Sequence, residues 1–323
     1  MSDDYRRHLD ALHARLATPD EIVLAALAEV SRAKVEHRRH IAEGEANEVH
    51  GFRLADGLEV IMRIARRTAR GFEAERWAID ACRQEGVPVP EVLLIKQVAS
   101  DNGPIDICIQ RRIEGELLSN CLDLPQEALH VLIAEAGDIL SRVQRLRTKG
   151  LGYLNGAGEG PFASLDELMA DFFKEEPAYI ELAERHDLDP GLIRRAFALI
   201  ARGVREAAPV RVSLTHNDFY PKHLLVKDGR VTGLIDFGEV SSEPSVNECA
   251  KWDYLMGGVL PVAWLREVYA DKSLFDESYD RLFPALRLMM GLCLFAWYAG
   301  KGYAAGVLEA RDRLIRDMAS LPS

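Results

Sequence analysis

The sequence predicts an α+β protein of two lobes, a small β-rich N-terminal lobe at residues 1–113 and a larger, mainly helical C-terminal lobe at 114–323. Three observations carry this expectation. Strand-like runs joined by tight turns crowd into residues 49–109, and helical spacing dominates after Glu114-Gly115. The one interruption of the helical half, Val210 to Asp236, is a compact set of short apolar runs separated by turn residues. A chain of 323 residues with 48% hydrophobic and 28% charged side chains has material for a sizeable core and excludes collagen-like or disordered organisation.

Taken in order, Thr18-Pro19-Asp20 is a helix-start composition, and Ile22, Leu24, Ala25, Leu27 and Ala28 keep helical spacing, so residues 20–40 are expected to be helical. Val49, Phe52 and Leu54 then lead through Asp56-Gly57 into Leu58 to Ile64, the pattern of two strands joined by a hairpin turn. Gly71 to Glu85 returns to helical spacing and stops before Gly86-Val87-Pro88-Val89-Pro90. Val92 to Val98 and Ile105 to Ile109 read as strands on either side of the turn-forming Ser100-Asp101-Asn102-Gly103. Within the later interruption, Val212 to Leu214, Leu224 to Val226 and Val231 to Ile235 are short strands. The longest apolar run, Leu288 to Gly300, lies between Arg287 and Lys301. It is shorter than the roughly 20 residues that span a bilayer, so it is expected to be a buried helix rather than a membrane segment.

Charge and cysteine usage narrow the function. Lys and Arg number 40 against 51 Asp and Glu, a net charge of −11, which is a poor balance for wrapping nucleic acid. The acidity is uneven: residues 1–113 hold 17 bases and 19 acids, and the remainder 23 and 32. An acidic C-terminal lobe suits a cationic small ligand, or serves solubility alone. Five scattered cysteines without a CxxC pair, behind an N-terminus with no apolar signal core, point to free thiols in a reducing cytoplasm.

The informative stretch runs from Leu214 to Val240. His216-Asn217-Asp218 opens a loop, and Ile235-Asp236-Phe237-Gly238 follows a hydrophobic strand, the two acids standing 18 residues apart. Phosphoryl transfer needs two such carboxylates, one orienting the acceptor hydroxyl and a second free to hold a metal.

These residues resemble the HxDxxxxN and DFG pair of the aminoglycoside phosphotransferases and their kinase-like relatives. The resemblance implies a bilobal protein-kinase-like fold, with Asp218 as the catalytic aspartate, Asp236 as the main Mg²⁺ ligand and His216 bracing the loop. His223 stands where the family usually has Asn, as a second metal ligand, and an imidazole there makes Mn²⁺ support conceivable. Arg63, in Val60-Ile61-Met62-Arg63-Ile64, matches the phosphate-pairing lysine, and arginine keeps the charge while offering a bidentate fork. Glu75 is selected as its acidic partner by counting back from Gly86-Val87-Pro88, with Glu73 as the alternative, since adjacent helical residues point about 100° apart. The segment 43–49, with Asn47 and the Ala46 amide, falls where the family covers the phosphates. Arg111 and Ile113 fall at the interlobe hinge, where backbone groups meet a purine edge, and neither ATP nor GTP is singled out.

Glu248 matches the aspartate that supports the catalytic loop, while Glu239, Glu243 and Asp253 fall near the expected acceptor cleft and could receive amino groups. The resemblance spans residues 41 to about 254 and leans toward the hygromycin B phosphotransferases. It implies transfer of a γ-phosphate from a nucleoside triphosphate to a hydroxyl of a cationic small-molecule acceptor, with antibiotic resistance as the consequence. A kinase of a macrolide or another small metabolite, or a catalytically silent nucleotide-binding protein, are the alternatives that the Arg63 and His223 departures keep open. Nothing in the sequence speaks to oligomeric state.

Overall fold

The computed structural model describes residues 17–41, 47–65, 71–100, 103–207 and 209–319. The chain is α+β and divides into two compact units, the first made of Met1–Gly115, Asn155–Gly158 and Thr232–Gly238, the second of Glu116–Leu154, Glu159–Val231 and Glu239–Ser323.

In the first unit, helix α1 (Asp20–Val30) precedes strands β1 (Val35–His40), β2 (Asn47–Leu54) and β3 (Glu59–Ala65). Helix α2 (Glu73–Gln84) and strands β4 (Val92–Val98) and β5 (Ile105–Arg111) follow. The strands form one antiparallel sheet in the order β1-β2-β3-β5-β4. Period-two alternation decides which face each side chain takes. Val60, Met62 and Ile64 of β3 and Ile105, Ile107 and Ile109 of β5 pack with Val23, Ala26 and Leu27 of α1 in one apolar cluster. Arg63 therefore points to the opposite face, where its register partner is Cys108. The Asp56-Gly57 hairpin forms as its sequence implies, with Gly57 at φ 84°, a conformation that a side chain would oppose.

The start of the described chain is tied to this sheet by a buried carboxylate. Glu48 accepts from the Thr18 backbone amide and hydroxyl and lies 2.8 Å from His50 Nε2. Burial alone would raise its pKa, but the His50 and Thr18 hydrogen bonds prevail and hold it down at about 2.

Residues 35–40 are a strand and not the continuation of α1. The helix ends at Ser31, which is already extended at φ −151°, and every side chain of β1 is exposed. Its ladder is with β2, Arg38 adds an ion pair to Asp20 of α1, and with every side chain exposed the strand carries no periodic signal of burial.

The second unit opens with β6 (Glu116–Leu117), followed by α3 (Gln126–Val143), β7 (Gly152–Tyr153), α4 (Leu165–Phe173), α5 (Glu176–Arg185) and α6 (Pro190–Glu206). Strands β8 (Val212–Thr215), β9 (Leu224–Lys227), β10 (Arg230–Leu234) and β11 (Ser241–Pro244) come next, then α7 (Val246–Met256), α8 (Val262–Glu267), α9 (Glu277–Gly300) and α10 (Ala304–Ala319). The chain passes to the first unit within β10. Strand β11 pairs antiparallel with both β7 and β8. Nothing in the Ser-Ser-Glu-Pro composition of β11 announces a strand, and it owes its conformation to neighbours on both edges.

Helix α9 contains the apolar run and is longer than that run, and by length and composition it is apolar enough to cross a membrane. In this fold it packs against α6, α7 and α10. Leu288, Leu292 and Phe295 enter the unit's core beside Phe197, Ile200 and Leu314. Only one side of the run is buried; Trp297 is 43% exposed.

Candidate active site

Two clusters hold the chemistry, one in each unit. In the first, α2 buries Ala74, Glu75, Ala78, Ile79 and Cys82, so Glu75 faces the sheet while Glu73 is exposed. The guanidinium of Arg63 forks there. One terminal nitrogen donates to Glu75 and the other to Asp236 Oδ1 at 2.7 Å, with the Phe72 ring 5.3 Å beneath. Burial would lower the Arg63 pKa, but the Glu75 and Asp236 carboxylates outweigh it and keep the cation fully charged. Asp236 adopts φ 66°, and its side chain stays 45% exposed. The next residue but one, Gly238, lies beside the same carboxylates, where a Cβ would make ordinary van der Waals contact with Glu75 Oε1 at 3.4 Å and Asp236 Oδ1 at 3.5 Å.

Asn47 opens β2 opposite Ala65, and residues 42–46, including Gly44 and the Ala46 amide expected over phosphates, lie outside the described residues. At the end of β5 the Arg111 amide donates to the Glu91 carbonyl at 2.8 Å. That amide is part of the sheet and is not among the backbone groups open to a purine. The Arg111 carbonyl and the backbone of Ile113 are the groups of that pair still suited to a base edge. The Arg111 side chain pairs with Glu91.

In the second unit, β8 delivers His216, which is fully buried, and then Asn217 at φ 65°. Asparagine tolerates this left-handed conformation better than other side-chain-bearing residues except aspartate, and the kink turns the chain so that Asp218 is 38% exposed. His223, on the short 3-10 turn Pro221–His223, places Nδ1 2.8 Å from the Asp218 carbonyl oxygen and 3.4 Å from its carboxylate. A carbonyl only accepts, so Nδ1 carries a proton and Nε2 is the ring nitrogen turned away from this bond.

Beneath the loop, β11 and the first turns of α7 form a polar floor. Glu248, fully buried, accepts from the Asn217 amide at 2.6 Å. Glu243 accepts from Asn217 Nδ2 at 3.3 Å, from Asn247 Nδ2 and from the Ser241 hydroxyl at 2.9 Å. Lys251, one turn beyond Asn247 on the same helical face, donates to the Asn217 carbonyl at 3.1 Å and to its Oδ1. Sequence reasoning missed Lys251, Asn247 and the Phe72 ring. The available signal was the spacing of Asn247, Glu248 and Lys251 on one predicted helix.

Of the three acids expected near an acceptor, Glu243 is engaged by the loop. Asp253 is paired with Arg287, which also reaches Asp317 at 3.1 Å. Asp253, Phe283, Pro284, Arg287 and Asp317 line a cavity of about 280 Å³. Glu239 is exposed at the end of the 3-10 turn Phe237–Glu239.

Burial pushes the Glu248 carboxyl up to about 7, helped by the negative charges of Glu243 and Asp218 and opposed by Lys251 and the Asn217 amide. The native state thus keeps a proton that the unfolded chain, with an ordinary value of 4.5, has already lost. Its contribution to stability is full below about pH 4.5 and is lost as pH rises through 7, with a ceiling of about 3 kcal/mol. Glu248→Gln cannot titrate. Urea unfolding at pH 5 and pH 8 is therefore expected to show the wild type losing stability relative to this variant at the higher pH. An equal difference at both pH values would mean that the carboxyl does not titrate in this range.

Comparison with known proteins places these clusters in a family context. Residues 37–250 match the model of the phosphotransferase enzyme family. Hygromycin-B 4-O-kinase of Escherichia coli is 25% identical over 213 residues, 65% of this chain, and the match spans 60% of that relative's length. The fold is similar to a ternary complex of a thermostable aminoglycoside phosphotransferase APH(4)-Ia variant with ADP and hygromycin B. That likeness has a TM-score of 0.74 at 19% identity over 92% of this chain and 97% of that one. A macrolide 2'-phosphotransferase from Brachybacterium faecium aligns over 93% of this chain and 99% of its own at TM-score 0.54 and 16% identity.

Proposed function

The chain belongs to the phosphotransferase enzyme family, and from that premise we propose that it moves the γ-phosphoryl group of ATP to a hydroxyl of an aminoglycoside of the hygromycin B type. The observation that carries the reading is the Arg63 fork between Glu75 and Asp236. It holds a permanent cation rigidly, as a group receiving phosphate oxygens needs to be held, and ties it to the carboxylate of the Asp236 hairpin. ATP is the donor in this reading because the fold is similar to a complex with ADP.

In this reading residues 1–113 receive the nucleotide, with Asn47 near the phosphates and the Arg111 carbonyl and Ile113 at the base, and residues 114–323 carry the catalytic loop and acceptor site. Asp218 orients the acceptor hydroxyl and accepts its proton as the new O–P bond forms. A half-exposed carboxylate such as Asp236 suits Mg²⁺, which takes one or two carboxylates together with phosphate and water oxygens. Asp236 would be its main protein ligand and His223 a weaker second, and the ion when bound neutralises charge on the transferring phosphoryl group. Glu239, and the Asp253–Asp317 cavity with its single guanidinium, supply negative charge for the acceptor's amino groups. Glu243 acts on them only through its field, since it is engaged by Asn217. Five free cysteines, four of them buried, support a reducing, cytoplasmic location.

The test is nucleoside diphosphate release from ATP and from GTP with Mg²⁺, across hygromycin B, other aminoglycosides, macrolides and small metabolites. Stimulation of ADP release by hygromycin B, with a mass gain of one phosphate on it, is the expected result. Stimulation by a macrolide alone would overturn the acceptor assignment, and no stimulation by any acceptor would overturn the function.

A further inference from the structure

We propose that Lys251 is a positioning residue for the loop that presents Asp218, an inference that rests on the phosphotransfer reading above. Asn217 stands in the left-handed region at φ 65°, and each of its polar groups is gripped. Its amide goes to Glu248 and its Nδ2 to Glu243, while its carbonyl and its Oδ1 both accept from the Lys251 ammonium. Among the described residues Lys251 is the partner that holds this backbone and this side chain at once.

The carbonyl oxygen is the consequential contact. It belongs to the planar peptide unit that joins Asn217 to Asp218, so fixing that oxygen at 3.1 Å fixes the plane from which the Asp218 side chain departs. The charges reinforce the grip. Glu243 and Glu248 place two carboxyl groups beside the loop that carries Asp218, and Lys251 is the cation bonded to Asn217 among them. Without it, that peptide plane loses its charged donor, and the Asn217 side chain keeps Glu243 at Nδ2 and neutral Asn247, 3.5 Å away, at Oδ1.

Lys251→Met is expected to lower kcat roughly 10–100-fold, the cost of misplacing a reacting group by about an ångström. The KM for ATP should stay within a few-fold, because Arg63, Glu75 and Asp236 are untouched. Lys251→Arg, which can still span the carbonyl and Oδ1, should return kcat to within a few-fold of wild type. Hydrogen exchange measured on the purified chain without substrate should show the peptide containing the Asn217 amide exchanging faster in Lys251→Met. Faster exchange in a chain that transfers phosphate to no acceptor would support the clamp while removing the phosphotransfer reading. Wild-type exchange together with wild-type kcat would overturn the clamp. So would a loss of kcat that Arg fails to restore and that tracks a fall in Tm. If the Met variant does not fold, Lys251→Gln takes its place, with the same contrast expected against Arg.

Discussion

Asp218→Ala is expected to lower turnover by about 10²–10⁴-fold while nucleotide affinity changes no more than a few-fold, the range for losing a positioned acid–base group. The side chain is 38% exposed, and the anchoring of the loop runs through Asn217, Glu248, Glu243 and Lys251, none of which the substitution removes. Unfolding by heat or urea should therefore match wild type, which separates loss of chemistry from loss of fold. The Arg63, Glu75 and Asp236 cluster, proposed to receive the nucleotide, is equally untouched, so ATP titrations should superimpose. Turnover within threefold of wild type would remove Asp218 from the reaction. A parallel collapse of stability would show that its carboxylate supports the fold instead.

The second large effect concerns Arg63. Arg63→Met takes from Glu75, whose side chain is 6% exposed, the guanidinium it pairs with in the fold, and breaking such a buried pair from one side typically costs about 3–5 kcal/mol. The same variant should raise the KM for ATP at least tenfold, because the cation meant for phosphate is gone. Arg63→Lys separates the two effects. An ammonium reaches Glu75 or Asp236 as a point charge but has no fork to join them, so stability should recover more than nucleotide affinity. Urea unfolding and ATP titration on both variants check this. If Lys restores affinity fully, the fork has no role, and a simple phosphate-binding cation suffices.

Legibility in the sequence varied with the kind of force involved. The helix of Glu75 was readable because burial on one side of a helix imposes a period, whereas the choice of Glu75 over Glu73 came from the family resemblance, and the fold buries Glu75 and leaves Glu73 exposed. The β3 strand was readable for the same reason at period two, with Met62 and Ile64 on the core face and Arg63 on the other. Strand β1 was not, since its six side chains are all exposed and it pairs at the edge of β2, and a preceding helical run suggested continuation. Glu243 looked from its position like an acid facing a ligand. Its hydrogen bonds with Asn217, Asn247 and Ser241 depend on β11 lying beside β8, a pairing between segments more than 20 residues apart.

The sequence by itself determined the α+β class, the order of the sheet-rich and helical parts, and the motif that singles out Asp218 and Asp236 as candidates. Each of these is written in short-range periodicity or in a contiguous motif. Only the tertiary structure decided that Arg63 bridges Glu75 and Asp236 at once, that the Arg111 amide is consumed by the sheet, and that Lys251 grips the peptide before Asp218. Those contacts join residues from 12 to 173 positions apart. Their existence is set by which faces pack together once the apolar clusters close, and no local pattern records that.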